Sequence, residues 1–211
     1  MNVTNGYEWS THQPLIRAVL DIYKPVFVLE LGVGEYSTPV FIDYGVKYLG
    51  VDTDMNWVSD FIKKYDINIL YQEIGEIGKR LNYKKISRQQ RADIQEYYEY
   101  LNFPSDKPNL LFVDQDACCR LISINTLSPK FDIILYHDHD DKGFEDNSYE
   151  LINDYGFNRY ALTTPMTGAG VMIRQGLDKG FSELNGRVQY YVRGFMEDHK
   201  DCAWMKFERY E

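Results

Sequence analysis

The sequence predicts an α/β protein with a doubly wound, mostly parallel sheet of seven strands that ends in an antiparallel hairpin. Short apolar runs alternate with helical patterns through most of the chain, which is typical of successive βα units. The last two apolar runs, 157–163 and 170–174, are joined by a connection too short for a crossover helix. We therefore expect these two strands to pair antiparallel.

Each element follows from its apolar spacing and its boundary residues. Ser10 and Thr11 precede a helical pattern that stops at Lys24 and Pro25, so a helix is predicted over 13–23. The buried apolar runs predict the first five strands, and the amphipathic segments between them predict helices. The predicted strands are 26–31, 47–51, 67–71, 109–114 and 131–138, and the further helices are about 37–44, 56–65, 86–102, 117–127 and 146–155.

Length and composition favour one domain. The chain has 211 residues, of which 44% are hydrophobic, enough for one core. We expect a single domain over 1–211, with a helical insertion at about 75–102 and a C-terminal extension at 178–211. The aromatic side chains of the extension should pack on the sheet or cap the site.

Charge and cysteine content bound the partners and the compartment. The net charge of −9 argues against a nucleic-acid partner, because a phosphate backbone would be repelled. Three cysteines, two of them adjacent, cannot form a paired disulfide framework and indicate a reducing compartment. The N-terminus lacks the pattern of a signal peptide, and no apolar stretch approaches about 18 residues. We therefore expect a cytoplasmic protein that does not enter a membrane.

A glycine turn after the first predicted strand indicates a nucleoside site. Gly32 and Gly34 allow the backbone to turn sharply and to approach a ligand. Ser37 and Thr38 are placed to cap the next helix, whose first amides would face that ligand. Asp52 ends the second strand 20 residues after Gly32, where an acid binds ribose hydroxyls in nucleotide-binding α/β folds.

Two details of this segment discriminate between cofactors. Ser37 stands where the dinucleotide fingerprint has its third glycine. Glu30 lies two positions before the first glycine, where a carboxylate would oppose a pyrophosphate and would suit a cationic ligand. Both details disfavour an NAD(P)-dependent dehydrogenase.

The segment Glu30-Leu-Gly-Val-Gly-Glu-Tyr-Ser-Thr resembles motif I of the class I S-adenosylmethionine (SAM)-dependent methyltransferases, and Asp52 matches the acid of motif II. The resemblance covers roughly residues 26–174 and implies the Rossmann-like fold of that superfamily. It implies transfer of a methyl group from SAM to a small-molecule acceptor, with a hydroxyl favoured, as in a small O-methyltransferase. The residues that it implies for SAM binding are Glu30, Gly32, Gly34, Ser37, Thr38 and Asp52.

Acids and imidazoles follow the fourth and fifth predicted strands, at the same sheet edge. The resemblance implies that Asp114, His137 and Asp138 orient and activate the acceptor. Two routes stay open. Mg²⁺ could lie between Asp114 and Asp138 and polarise the acceptor hydroxyl, or His137 or His139 could act as a metal-free general base. A third interpretation is that the charges of 137–141 only solvate a loop.

Further residues carry two interpretations each. Glu8, Trp9 and His12 could cover the site or simply begin the first helix. Trp57 could flank an adenine ring or pack as an ordinary aromatic side chain. Arg120 could bind an anionic group of a substrate or form an ion pair with nearby acids.

Two rival functions follow from the same residues. The first is a non-catalytic SAM-binding protein that acts as a regulatory or partner subunit. The second is a metal-dependent hydrolase that uses the cluster from His137 to Asp141 and works without SAM.

Overall fold

A computed structural model describes residues 10–73, 88–115, 117–137, 156–165, 168–200 and 202–210. The strands are β1 (Phe27–Leu31), β2 (Lys47–Asp52), β3 (Ile69–Tyr71), β4 (Asn109–Val113), β5 (Ile133–His137), β6 (Phe157–Thr163), β7 (Ala169–Arg174) and β8 (Lys206–Tyr210). The helices are α1 (Gln13–Tyr23), α2 (Thr38–Asp43), α3 (Met55–Tyr65), α4 (Arg88–Tyr100), α5 (Ala117–Leu127) and α6 (Phe181–Asp198). The predicted helix at 146–155 and the start of the predicted insertion lie outside the described residues.

Within the described part of the chain the strands form one sheet in the order β3-β2-β1-β4-β5-β7-β6-β8. Strands β1 to β5 pair parallel, and β7 runs antiparallel to both β5 and β6. The mostly parallel sheet and its antiparallel hairpin confirm the predicted fold class. Strand order reverses between β1 and β4, and open α/β sheets bind ligands in the crevice at such a point.

The eighth strand was not predicted. The C-terminal extension returns after α6 and pairs antiparallel with β6. Phe207 on β8 stacks against Phe181 and Tyr160, with ring centroids 5.6 Å and 5.8 Å away. The extension therefore packs on the sheet, as one of the two expectations had it, and does so by adding a strand.

Helices cover both faces of the sheet. Leu15 of α1 and Val188 of α6 pack with Phe112 on one face, while Ile94 of α4 and Ile124 of α5 pack on the other. Every residue of β1, β4 and β5 is buried, which explains why these strands read as continuous apolar runs. None of the described helices combines the length and the apolar character needed to cross a membrane.

Candidate functional site

The glycine turn after β1 is pressed against the end of β4. Gly32 has a φ of +84°, and a Cβ added to it would lie 2.6 Å from backbone atoms of Asp114 and Gln115. The Asp114 N–H donates to the Leu31 carbonyl at 2.7 Å, which holds the two strand ends together. Glycine is required here because any other residue would meet backbone atoms that cannot move aside.

Asp52 connects the end of β2 to the same turn. Its carboxylate accepts hydrogen bonds from the backbone N–H groups of Val33 and Asp54, both at 2.9 Å. Burial raises the pKa of Asp52, and the backbone hydrogen bonds oppose that effect. The predicted ribose-binding acid therefore lies beside the glycine turn.

Glu30 lies behind the glycine turn. It is fully buried, and its carboxyl accepts hydrogen bonds from the hydroxyls of Ser37, Tyr48 and Thr38, the last at 2.7 Å. Burial raises the pKa of Glu30 to about 8, although the three hydroxyl donors act to lower it. The Thr38 hydroxyl also accepts from the Gly34 N–H at 3.1 Å, so this network supports the turn from beneath.

The predicted side-chain capping of α2 by Ser37 is wrong. Ser37 occupies the N-cap position, but its side chain makes no capping hydrogen bond because its hydroxyl is bound to Glu30. A buried carboxyl is a stronger acceptor than the alternatives that the hydroxyl has at the helix end.

Two cavities meet at the end of β4. The smaller, of about 180 Å³, is lined by the glycine turn together with Asp52 and Gln72. The larger, of about 440 Å³, is lined by residues that include Tyr36, Trp57 and His137. Gly34, Asp114 and Gln115 line both cavities.

The predicted site residues fall into three groups. Those that line a cavity are Gly32, Gly34, Ser37, Asp52, Asp114 and His137. Glu30 and Thr38 line neither cavity and lie behind the wall. Asp138, His139, Glu8 and Trp9 lie outside the described residues, so their roles stay predictions.

Asp114, His137 and Arg120 form a buried cluster in the larger cavity. The Asp114 Oδ1 lies 3.2 Å from the His137 Nδ1 and 3.4 Å from an Arg120 nitrogen. Arg120 also donates to the carbonyls of Gln115 at 2.7 Å and His137 at 3.2 Å. Of the two interpretations of Arg120, the structure shows the ion pair with a neighbouring acid.

His12 was outside the predicted set of catalytic and binding residues, yet it belongs to this cluster. Its ring lies edge-on to the His137 ring with centroids 4.6 Å apart, and it lines the larger cavity. Its position directly before α1 was the available signal, but the contact joins residues 125 positions apart. Trp57 lines the same cavity, and its indole N–H donates to the Val33 carbonyl at 2.5 Å.

The cluster also bears on the metal hypothesis. His12, Asp114 and His137 each offer one ligand atom, and these atoms all lie within 4.8 Å of one another. Two imidazoles and one carboxylate suit a first-row transition ion better than Mg²⁺, which prefers oxygen ligands. However, the Asp114 oxygen that contacts His137 also pairs with the Arg120 guanidinium, so a dication would compete with a resident cation.

Comparison with known proteins places this arrangement among methyltransferase folds. A SAM-dependent methyltransferase from Archaeoglobus fulgidus matches with a TM-score of 0.50, 10% identity and coverage of 79% of this chain and 94% of that one. Magnesium protoporphyrin IX methyltransferase from Synechocystis with bound SAM matches at 0.47, with 14% identity and coverage of 81% and 80%. The N-methyltransferase NodS from Bradyrhizobium japonicum matches at 0.48, with 11% identity and coverage of 80% and 96%. In the comparisons by sequence, no family model and no curated protein matches.

Of these three likenesses only the first reaches a TM-score of 0.50, and at 10% identity it bears on the fold alone. Together with the strand order and the glycine turn, it confirms the predicted class. The chain has the Rossmann-like fold of the class I SAM-dependent methyltransferases.

Proposed function

We propose that this protein transfers a methyl group from SAM to a hydroxyl group of a small molecule. The observation that carries the proposal is the position of Asp114, which lines both the smaller cavity beside Asp52 and the larger cavity beside His137. A methyl donor in one cavity and an acceptor in the other would meet at this residue. Positioning of two reactants in this way accounts for much of the rate of a displacement reaction.

The smaller cavity and the glycine turn fit the nucleoside of SAM. The Gly32 backbone forms a wall that a Cβ would disrupt, and the Asp52 carboxylate reaches the same cavity. Bound SAM supplies an electrophilic methyl group. The buried Glu30 adds negative charge behind the turn once it is deprotonated, which favours a cationic ligand.

The larger cavity contains a base for the acceptor hydroxyl. Since a carboxylate only accepts hydrogen bonds, the 3.2 Å contact with Asp114 requires the proton on the His137 Nδ1. The His137 Nε2 then carries a lone pair and can take the proton of a hydroxyl, while Asp114 stabilises the imidazolium that forms. This arrangement supports the metal-free route over a Mg²⁺ site, because Arg120 already pairs with the Asp114 carboxylate.

A small acceptor is proposed because of cavity size and charge. A cavity of about 440 Å³ suits a small molecule, and the net charge of −9 disfavours a nucleic acid. The single-domain organisation over 1–211 is part of the same proposal. The cytoplasmic location stays a prediction.

Calorimetric titration with SAM and with S-adenosylhomocysteine tests the cofactor. We expect binding to the wild type and a large loss of affinity in Asp52→Ala, while Asp43→Ala, an exposed acid on α2, should bind as the wild type does. If neither nucleoside binds at millimolar concentration, the proposal is wrong.

Transfer of a labelled methyl group to a panel of hydroxylated small molecules tests the chemistry. His137→Gln should lower kcat at least tenfold and leave the affinity for S-adenosylhomocysteine within about twofold, since His137 is assigned to the acceptor side. Binding without turnover across the panel would favour the non-catalytic rival. Metal-dependent hydrolysis that survives in Asp52→Ala would favour the hydrolase.

A further inference from the structure

A chain of hydrogen bonds runs from α5 through α4 to the smaller cavity. The Tyr98 hydroxyl lies 3.0 Å from the side-chain oxygens of both Gln72 and Gln115. The Gln115 amide nitrogen donates to the Ser123 hydroxyl, and the Ser123 hydroxyl donates to the Cys119 carbonyl at 3.0 Å. All of these side chains are buried, with Tyr98 and Ser123 at 0% exposure.

The hydrogens in this chain can be counted. Ser123 has one hydroxyl hydrogen, which goes to the Cys119 carbonyl, so its oxygen accepts from the Gln115 nitrogen. The Gln115 oxygen therefore faces Tyr98 and takes the single hydrogen of the Tyr98 hydroxyl. Tyr98 then has only a lone pair for Gln72.

The count determines how the Gln72 amide is turned. Facing a lone pair on Tyr98, Gln72 must direct its NH₂ group at that hydroxyl, because two oxygens cannot share a contact that has no hydrogen. A carboxamide has nearly the same shape when its nitrogen and oxygen are exchanged, so the contact distance is kept. The Gln72 carbonyl oxygen is then directed away from Tyr98.

That oxygen is left for a ligand. Gln72 lines the smaller cavity with Asp52 and the glycine turn and is only 3% exposed. Its side chain contacts Tyr98 at one end, and the other end makes no hydrogen bond to any residue that the structure describes. Gln115, in contrast, uses both ends of its amide within the protein.

We infer that Gln72 selects a 6-aminopurine in the smaller cavity and that Tyr98 is the positioning residue that makes it selective. The inference rests on the proposed function, which puts the adenine of SAM in this cavity. A carbonyl oxygen accepts from the exocyclic amino group of adenine and faces lone-pair repulsion from a 6-oxo purine. Helix α4 of the insertion thus contributes to cofactor choice without touching the cofactor.

Calorimetry with two nucleosides tests this inference. The wild type should bind S-adenosylhomocysteine roughly tenfold or more tightly than S-inosylhomocysteine, which carries oxygen in place of the amino group. In Tyr98→Phe the Gln72 amide can turn either way, so the ratio should fall to about threefold or less. Ser123→Ala should lower the ratio as well, although Ser123 lines neither cavity. Tyr97→Phe removes a neighbouring hydroxyl from the same helix and should keep the wild-type ratio.

The outcomes separate the two proposals. Equal binding of the two nucleosides by the wild type, or a preference for the 6-oxo compound, would overturn the inference and leave SAM-class binding standing. An unchanged ratio in both Tyr98→Phe and Ser123→Ala, with each variant shown to be folded by thermal unfolding, would overturn the role of Tyr98. If the wild type binds neither nucleoside, the proposed function falls and the inference with it.

Discussion

Gly32 shows how a single residue positions the cofactor side of the site. Its positive φ and its close approach to the backbone of Asp114 and Gln115 both depend on the missing Cβ. The contact brings the turn after β1 against the end of β4, which is how the two cavities come to share a wall. Gly45 also has a positive φ but has open space around it.

Gly32→Ala should therefore destabilise the protein by about 2–5 kcal/mol, from left-handed backbone strain and a backbone clash together. Gly45→Ala carries the strain alone and should lose about 1–2 kcal/mol. Urea unfolding of both variants measures the difference. Equal losses would show that the close approach to β4 is not needed.

Glu30 makes stability depend on pH. Its pKa rises from 4.5 to about 8 on folding because burial disfavours the charged form. The folded chain thus keeps a proton that the unfolded chain has released. Its contribution to stability is fully present below about pH 4.5 and is lost as the pH rises towards 8.

Glu30→Gln, which carries no ionisable group there, should remove this dependence. Between pH 5 and 8 the free energy of unfolding of the wild type should fall relative to that of the variant, by at most about 1.4 kcal/mol per pH unit. Urea titrations at four pH values measure the trend, with Glu197→Gln, an exposed residue of α6, as the control. A constant difference between wild type and Glu30→Gln would contradict the buried, protonated carboxyl.

At the scale of elements, the C-terminal extension stabilises the sheet edge. Strand β8 adds to β6, and Phe207 fills the space between Phe181 and Tyr160. Aromatic packing of this kind provides most of the reason for the strand to dock, since an edge strand has few other contacts.

Phe207→Ala should cost about 3–5 kcal/mol, the usual range for a buried aromatic side chain. Trp204→Ala, at a 46% exposed position just before β8, should cost less than about 1 kcal/mol. Thermal and urea unfolding measure both variants. If Phe207→Ala is as mild as Trp204→Ala, β8 contributes little to the fold.

For the molecule as a whole, strand order concentrates the polar groups of the site. Strands β2, β1, β4 and β5 are adjacent and parallel, so Asp52, Gly32, Asp114 and His137 all come to one edge. The Asp114 carboxylate at the centre is shared by Arg120 and His137. The charge of the assembled cluster therefore bears on metal use.

Chelation should leave the protein's function intact. After dialysis against EDTA we expect methyl transfer and S-adenosylhomocysteine affinity within about twofold of the untreated protein, because Arg120 already neutralises Asp114. Metal analysis of the same samples measures the bound ions. Loss of activity that Zn²⁺ or Mg²⁺ restores would contradict the metal-free route, and tighter metal binding in Arg120→Ala would show that the guanidinium competes for the site.

Much of the fold could be predicted from local pattern. The predicted bounds of α1, α5 and β6 agree with the structure, since amphipathic or apolar spacing and boundary residues such as Pro25 are properties of short segments. The spacing of Gly32 and Asp52 likewise predicted a turn and an acid at the same sheet edge.

The surroundings of individual side chains could not be predicted in this way. A carboxyl before a glycine turn reads the same whether it faces a ligand or, like Glu30, is bound by buried hydroxyls behind the turn. His12 meets His137, and Tyr98 meets Gln72, because distant segments pack together. Sequence periodicity records which face of an element is apolar, whereas these contacts depend on how the elements are packed, and only the folded chain brings them within hydrogen-bonding distance.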